Sequence, residues 1–250
     1  KGGGTGVSGN TNNYDLLGQY NLQDAYNGNI GNTDLLYSNS EYKSSTYLRS
    51  SINNHYWYGL LSTANYNPSE EISISGGLDL RTYKGEHYRE IYDLLGGNYA
   101  IDLENSLQLT QIKEVGDIVG YHNDGFVKWI GGFGQAEYNN GKISTFINFS
   151  GSNSGYKRKD YFKKKDLVLP DTTIKEALGT NVSLNLIDTT MTMVIDTFEY
   201  NGNQYTMYSE EARDAITDWE WIKGVTIKTG ANYNIDELNN VFFNVGYISK

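Results

Sequence analysis

The chain has 250 residues and a formal net charge of −10 at pH 7, an acidic balance that argues against a nucleic-acid partner, which requires a basic face. The lack of cysteine excludes a disulfide scaffold, a cysteine-ligated zinc site and a thiol nucleophile. The mean hydropathy is −0.56 and no apolar run reaches the roughly 20 residues that a spanning helix needs, although a barrel strand needs only about 9–11 residues of alternating polarity.

The first part of the chain predicts two strands between long polar stretches. No apolar stretch follows the charge of Lys1, so no signal peptide is visible, and an exported protein would begin upstream of this chain. Residues 5–45 lack periodicity and predict a long loop. A strand is expected from about Thr46 to Tyr66, and Pro68 favours a turn at 67–71. The next strand alternates most cleanly, with Ile72, Ile74, Gly76, Leu78 and Leu80 on one face and Ser73, Ser75, Gly77, Asp79 and Arg81 on the other.

The remainder predicts four further strands. Residues 86–124 predict a second long loop, with one or two helical turns open as an alternative within 86–97. A third strand is expected at 125–138, and Asn139-Asn140-Gly141 predicts a tight hairpin turn, because Asn-Gly tolerates positive φ. The fourth strand alternates from Ile143 to about 152. The irregular stretch 157–217 begins basic, ends acidic and has room for a hairpin between Met191 and Tyr208. Strands at about 219–233 and 241–250 flank a turn at 235–239.

Short and long connections alternate along the chain, and the same phrase stands beside each short turn. Ala64-Asn65-Tyr66-Asn67, Ala136-Glu137-Tyr138-Asn139 and Ala231-Asn232-Tyr233-Asn234 each close a strand. A soluble sandwich has no reason to segregate loop lengths, whereas an outer-membrane barrel has short periplasmic turns and long extracellular loops. The predicted fold is therefore all-β, an antiparallel meander of about six long strands that forms part of a transmembrane β-barrel over residues 1–250.

The tyrosines predict two aromatic girdles at the membrane surfaces. The chain has 22 Tyr against 8 Phe, and tyrosine favours surfaces that are half wet and half apolar, because its buried hydroxyl needs a partner. Roughly eight to ten residues separate Tyr56 or Tyr58 from Tyr66, about 20–25 Å at a tilt near 40°, which is close to the height of the apolar band of a barrel. The membrane-girdle residues would be Tyr56, Trp57 and Tyr58 on the outer side and Tyr66, Tyr138 and Tyr233 on the inner side.

A set of aromatic and glycine-rich phrases carries a resemblance to a known family. They are Asn53-Asn54-His55-Tyr56-Trp57-Tyr58-Gly59-Leu60, Gly132-Phe133-Gly134-Gln135-Ala136-Glu137-Tyr138, and the segments 76–81, 83–97, 230–234 and 240–247. These phrases resemble the barrel of TonB-dependent outer-membrane receptors from Bacteroidetes-type bacteria, over most of the chain except its long loops. The opening Gly2-Gly3-Gly4-Thr5-Gly6 resembles the outer end of an earlier strand in such proteins. The resemblance implies a bacterial outer-membrane location, a 22-stranded barrel with an N-terminal plug, and uptake of a scarce nutrient with energy passed through TonB.

The sequence departs from this family in having about six predicted strands and neither a plug nor a TonB-box segment. We interpret it as an internal barrel segment, to which no plug or TonB-contact residue carries over. Six strands cannot close alone, because an open edge in lipid leaves backbone groups unsatisfied. The expected partners are outer-membrane lipid, the missing barrel strands and plug of the same polypeptide, and TonB through that plug. A surface lipoprotein lid and the identity of the transported ligand stay open.

The candidate substrate-binding residues belong to the polar face of the second strand and to the stretch after it. Asp79 and Arg81 would line the lumen and touch the plug or the substrate, although ordinary lumen polarity with charge pairing across strands is the favoured alternative. The same alternative applies to Gln135, Glu137 and Lys228. Stacking on a sugar or another ring, with loop packing as the favoured alternative, is the hypothesis for His87, Tyr88 and Tyr92.

Other chemistry has weaker support. The three histidines have no metal-like spacing. Acidic loop residues leave calcium binding open without any Asp-x-Asp-x-Asp-Gly pattern; examples are Asp93, Asp102 and Glu104. The cluster Lys163-Lys164-Lys165 would meet lipopolysaccharide phosphates if it lay near the outer leaflet, with a solvated loop as the favoured alternative. Since no Ser/His/Asp set or paired-carboxylate motif is identifiable, the sequence predicts no enzyme, no metal and no cofactor.

Two other hypotheses compete with the receptor. A soluble, Tyr-rich β-sheet module that binds carbohydrate would explain the aromatic residues and the asparagines, but not apolar residues that point outward at matched heights. A small self-sufficient barrel, an outer-membrane enzyme or adhesin, would need an even strand count of at least eight and, for an enzyme, a Ser/His pair at its rim.

Overall fold

The computed structural model describes residues 2–9, 14–184 and 190–249, and it is all-β, with 63% of residues in strands and 3% in helix. The first half contains β1 (Gly2–Ser8), α1 (Leu22–Asn29), β2 (Tyr47–Tyr66), β3 (Ile72–Asp93), β4 (Ala100–Ile101), β5 (Ile112–Lys113), β6 (Ile118–Asn139) and β7 (Ile143–Asp160). The second half contains β8 (Lys165–Val168), β9 (Thr173–Leu178), β10 (Thr180–Leu184), β11 (Met191–Ile195), β12 (Phe198–Tyr200), β13 (Asn203–Tyr205), β14 (Ala212–Arg213), β15 (Glu220–Asn234) and β16 (Asn240–Ser249). Within the described residues, no helix is long and apolar enough to cross a membrane.

Seven strands form one large sheet in the order β1-β2-β3-β6-β7-β15-β16, so the six long strands follow one another as a meander. The predicted antiparallel meander is confirmed, and each Ala-x-Tyr-Asn phrase does close a long strand. Side chains fix the short turns. The Asn139 carboxamide oxygen accepts from the backbone N–H of Gly141, at 2.9 Å, where φ is +84°. Between β15 and β16 the Asp236 carboxylate accepts from the N–H groups of Leu238 and Asn239, both at 2.8 Å.

The predicted loops at 86–124 and 157–217 are wrong at their edges, because three strands are longer than their alternating parts. Strand β3 continues to Asp93, which rules out helical turns over 86–93, β6 begins at Ile118, and β7 continues to Asp160. The added segments have no hydrophobic period of two, although Ile91 of β3 and Val119 of β6 pack in one buried cluster. The predicted hairpin between Met191 and Tyr208 exists as β12 and β13, with positive φ at Asn201 and Gly202.

The predicted loop at 5–45 is also wrong in part. Strand β1 pairs with β2 from Gly2↔Asn53 to Ser8↔Tyr47. Its four glycines leave no side-chain pattern, so only the resemblance of residues 2–6 to the outer end of a barrel strand indicated it. Helix α1 begins after Asn21, whose side-chain oxygen accepts from the Asp24 N–H at 3.1 Å and so caps the first turn. Residues 10–13 of this predicted loop lie outside the described residues.

The chain divides into two compact units, and the boundary falls within β2, β3, β6 and β7. The loop unit comprises residues up to 55, 85–125 and 158–217. The sheet unit comprises residues 56–84, 126–157 and 218 onward.

The loop unit has conventional hydrophobic cores. One cluster joins Ile91, Leu94, Ala100 and Val119; a second joins Leu167, Leu169, Leu178 and Met207. The buried Asn29 carboxamide connects three segments, because its nitrogen donates to the carbonyls of Thr46 (2.7 Å), Leu94 (3.1 Å) and Leu95 (3.0 Å). This unit therefore buries apolar side chains in closed clusters, although others, such as Leu16 and Leu35, stay exposed.

The sheet unit differs, since none of the buried hydrophobic side chains among the described residues belongs to it. Leu78 is 56% exposed, Phe149 60% and Ile227 46%. Its aliphatic and aromatic side chains therefore remain on the outside of a well-paired sheet.

Candidate functional site

The register of three strands in the sheet unit shows which side chains share a face. Ile227 of β15 lies opposite Phe149 of β7 and Tyr247 of β16. The neighbouring pairs are mainly but not wholly apolar, since Val225 lies opposite Gly151 and Ser249, and Thr229 lies opposite Ile147 and Val245. Directly opposed residues of antiparallel strands point to the same side of a sheet. This side, which we call the apolar face, has as members Ile143, Ile147, Phe149, Val225, Ile227, Ala231, Tyr233, Val241, Phe243, Val245 and Tyr247.

The apolar face extends to β3 and β6. The Leu78 side chain would be 3.4 Å from a Cβ placed on Gly132. A shallow groove of about 690 Å³ is lined by Leu78, Gly132, Phe149, Val225 and Ile227, which come from four consecutive strands of the sheet. The alternation predicted at 72–81 is thus part of a multi-strand surface.

The opposite side of the same strands is the polar face. Lys228 lies opposite Asn148, and Thr226 lies opposite Ser150. The Asn148 carboxamide donates to the side-chain oxygen of Gln135 at 3.0 Å, which continues the polar surface onto β6. Gln135 in turn donates to Glu137. The polar side chains of this face therefore form hydrogen bonds with one another.

The candidate residues Asp79 and Arg81 lie on the polar face, since each alternates with Leu78 or Leu80. The Arg81 guanidinium donates to both carboxylate oxygens of Asp79, from Nε at 2.7 Å and from Nη2 at 2.6 Å. The pair lies within one strand, not across strands as expected. Because the two charges satisfy each other in two-point geometry, a ligand would meet a paired site and not a free charge.

The other three candidates, which belong to the loop unit, do not form a single site. His87 Nδ1 is 2.6 Å from the Asn53 side-chain oxygen, and its ring lies 5.9 Å from that of His55. Tyr88 points the other way along β3 and lies 5.4 Å from the His122 ring. Tyr92 is exposed near the end of β3. His87 and Tyr88 are thus parts of separate aromatic contacts.

Tyr88 belongs to a cluster that the sequence reading missed. The His122 ring stacks on Tyr161 with centroids 4.2 Å apart, and Phe162 meets the same ring edge-on at 6.4 Å. The Tyr161 hydroxyl donates to the buried Asp124 at 2.9 Å. The only sequence signal is the His-x-Asp spacing on one side of a strand, because Tyr161 is too distant in sequence to be assigned to it.

The acidic loop residues act mainly on the backbone. Asp93 accepts from the Leu95 N–H at 2.7 Å, and both Asp102 oxygens accept from the Gly120 N–H at 3.2–3.3 Å. Burial raises the pKa of the Asp102 carboxyl above its ordinary value, and the hydrogen bond from the Gly120 N–H offsets part of this increase. No group of three His, Asp or Glu suited to a metal ion occurs within residues 2–9, 14–184 and 190–249.

The basic cluster at 163–165 is paired with carboxylates. Lys163 lies 3.0 Å from Glu176, Lys165 lies 3.2 Å from Asp214, and Lys164 contacts Asp196. Hydrogen bonding to Lys165 lowers the pKa of Asp214. These lysines therefore stabilise the loop unit and are less available to an external anion.

The predicted girdle residues divide between the two faces. The centre of the Trp57 ring lies 5.6 Å from that of Tyr83, which has the same parity on β3 as Arg81. Gly59, two residues after Trp57 and so on the same side of β2, lies close to the Arg81 side chain. Trp57 is therefore on the polar side. Neighbouring residues of a strand alternate, which puts Tyr56 and Tyr58 on the other side. We therefore leave Trp57 out of the girdle. The remaining predicted members on the apolar side are Tyr56, Tyr58, Tyr66, Tyr138 and Tyr233.

The sequence reading also missed two tryptophans at the start of β15. Trp221 lies opposite Gly155 and has the parity of Val225 and Ile227, so it belongs to the apolar face. A Cβ on Gly155 would be 2.9 Å from the Trp221 ring, so glycine leaves room for the indole. Trp219 lies 5.9 Å from Trp221. The Trp-x-Trp spacing at the end opposite to Tyr233 could have identified them.

Comparison of the chain with families of known proteins, with curated protein sequences and with solved structures finds no match.

Proposed function

We propose that the chain is the barrel segment of an outer-membrane transporter of the TonB-dependent type, which takes up a scarce nutrient. The observation that carries the proposal is the apolar face, an exposed surface in register over several strands of a paired sheet. Exposed apolar patches of this extent are rare on soluble monomers and indicate that another apolar medium covers them.

The size of the uncovered surface supports lipid as that medium. Fully burying one Leu, Ile or Phe side chain stabilises a protein by about 1.5–3 kcal/mol relative to leaving it in water. The apolar face holds more than ten such side chains or aromatic rings in water-accessible positions. Their contact with hydrocarbon would recover this free energy without any further protein core.

The aromatic residues set a height for the covered zone. Trp221 and Tyr233 occupy the two ends of the apolar face on β15. Twelve residues at about 3.3 Å each and a tilt near 40° correspond to roughly 30 Å, the thickness of a bilayer's hydrocarbon core. Amphipathic rings prefer the two lipid–water boundaries, which matches their positions at the ends.

The polar face would line the passage, with the Asp79–Arg81 pair as part of its wall. Strands β1 and β16 are the two edges of the sheet among the described strands, so they would pair with further strands of the same polypeptide. The plug of that polypeptide would contact TonB. The loop unit would carry ligand recognition, with His87, Tyr88 and Tyr92 as candidate contacts. The proposed role is binding and passage without bond chemistry.

A soluble carbohydrate-binding module is the competing function. Exposed Tyr56 and Tyr58 are suited to stacking on sugar rings. The aliphatic members of the apolar face, such as Val225, Ile227 and Val245, have no use in such a module.

Cell fractionation tests the proposal. The full-length protein that carries this chain, expressed in a Gram-negative host, is expected in the outer-membrane fraction after alkaline washing, with release only by detergent. A protein that appears in the soluble fraction without detergent contradicts the transporter and favours the carbohydrate-binding module. If the protein is membrane-bound but nutrient uptake persists in a host without TonB, the dependence on TonB is contradicted, whereas the outer-membrane transporter is not.

A further inference from the structure

Two lysines of the sheet unit flank one indole ring. The Lys128 ammonium lies 4.7 Å from the centre of the Trp219 ring, and the Lys157 ammonium lies 5.9 Å from the same centre. Within the part of the chain that the structure describes, neither lysine forms an ion pair with a carboxylate. Other described lysines, such as Lys175 and Lys228, also form no ion pair, but Lys128 and Lys157 share one indole ring. Two unpaired cations at one ring favour an anion.

The lysine pair lies at the end of the apolar face. Gly155 lies opposite Trp221, so it is on the apolar side of β7. Lys157, two residues further along the same strand, points to that side as well. Lys128 has the parity of Gly132, which contacts Leu78. Lys223 lies opposite Asn153 on the same side and adds a third cation.

The apolar groove lies on this same side. Its members Val225 and Ile227 follow Trp219 by six and eight residues, which corresponds to roughly 20–26 Å along the extended chain. That separation is within the length of an amphiphile whose head lies at Trp219 and whose acyl chain extends along Phe149 and Ile227. The cations and the groove therefore fit the two parts of one ligand.

We propose that Lys128, Lys157 and Trp219 bind the phosphate of an anionic lipid in the outer leaflet, with its acyl chain in the groove lined by Leu78, Phe149 and Ile227. This proposal rests on the proposed membrane function, and it goes further by naming a specific lipid contact. The ammonium groups neutralise the phosphate, and Trp219 holds both cations by cation–π attraction. Lys163, Lys164 and Lys165, for which the sequence favoured a solvated loop over contact with lipid phosphates, are paired with carboxylates and are not part of this site.

Native mass spectrometry of the full-length protein in detergent tests the proposal, with phosphatidic acid as the anionic probe and phosphatidylcholine as the zwitterionic one. The wild type is expected to retain phosphatidic acid preferentially. The double variant Lys128→Gln/Lys157→Gln is expected to bind it about 30-fold more weakly, since each lysine near an anionic lipid contributes about fivefold. Lys128→Arg/Lys157→Arg retains both charges and is expected to retain binding. Lys163→Gln/Lys175→Gln, matched in charge but located in the loop unit, is the control and is expected to bind as the wild type does.

Three results overturn the proposal. They are equal retention of phosphatidylcholine, unchanged binding by Lys128→Gln/Lys157→Gln, and full competition by inorganic phosphate, which would show a phosphate site without a lipid. The Lys→Arg variant separates loss of charge from loss of folding. A protein that inserts into phosphatidylcholine vesicles but ignores phosphatidic acid refutes only the lipid site, whereas one that does not insert refutes the proposed function.

Discussion

The loop unit and the sheet unit use the same residue types in opposite ways. In the loop unit, Leu167 and Leu178 are 0% exposed and pack in a closed cluster. In the sheet unit, Leu78 and Ile227 remain about half exposed on strands whose backbone is fully paired with neighbours. Strands can therefore pair through their backbones without a hydrophobic core against them. The hydrogen bonds of the sheet do not reveal whether water, lipid or protein covers its faces. We infer water around the first unit and lipid around the second.

The largest expected effect is on the core of the loop unit. Leu178→Ala removes a fully buried side chain and is expected to cost about 2–5 kcal/mol of folding free energy, because it leaves a cavity. Leu78→Ala is the matched control on the apolar face and is expected to cost far less, since its side chain is half exposed. Denaturant unfolding, followed by near-ultraviolet circular dichroism, measures both. Equal costs would remove the contrast between the two units.

A charge on the apolar face sharpens the same contrast. Ile227→Arg is expected to reduce the stability of the membrane-inserted protein by about 2–4 kcal/mol near the bilayer midplane, because the guanidinium must enter hydrocarbon. Thr226→Arg, one residue earlier on the polar face, is expected to change it little. Reversible folding into phospholipid vesicles gives both values. If the two variants behave alike, the faces do not meet different media.

Asn29 tests how the loop unit joins its segments. Asn29→Leu keeps a side chain of similar size but leaves the carbonyls of Thr46, Leu94 and Leu95 without their shared donor. The expected cost is about 1–3 kcal/mol, the penalty for unsatisfied buried polar groups. Proteolysis of the chain between β1 and β2 should accelerate in this variant. Gln23→Leu, an exposed position on the same helix, is the control and should not change the rate.

The smallest expected effect is a pH dependence from Asp214. Lys165 and Lys159 lower its pKa below the usual 3.8, so its stabilising contribution is complete above that value and is lost as the pH falls through the lower, folded-state pKa. The exposed position limits the effect to less than about 1 kcal/mol. Thermal unfolding between pH 7 and pH 3 should show a smaller acid-induced decrease for Asp214→Asn than for the wild type. A parallel pH profile in both would assign the acid sensitivity to other groups.

The contrast also explains what could be predicted from the sequence. Strand β3 was predictable over 72–81, where its two faces meet different media and the polarity alternates. It was not predictable over 82–93, where polar and apolar residues occur on both faces and the alternation disappears. Strand β1 has no alternating pattern because of its glycines, and only the resemblance of residues 2–6 to the outer end of a barrel strand indicated it.

The site was less predictable than the fold. Asp79 and Arg81 were placed correctly on the polar face by parity, but their mutual two-point ion pair depends on side-chain rotamers. Trp57 was assigned with its neighbours Tyr56 and Tyr58, although alternation separates them. The contacts of Lys128 and Lys157 with Trp219 join three distant segments, which no local pattern can indicate.

Lipid contact on the apolar face is tested most directly by spin labels at single cysteines on β15, since the chain has no cysteine of its own. Labels at 225, 226, 227 and 228, in the full-length protein reconstituted into vesicles, are compared for collision with oxygen, which concentrates in hydrocarbon, and with a water-soluble nickel chelate. We expect oxygen to dominate at 225 and 227 and nickel to dominate at 226 and 228. Labels at 225 and 227 that are shielded from both reagents, or that favour nickel, would contradict lipid contact and indicate a protein or water environment.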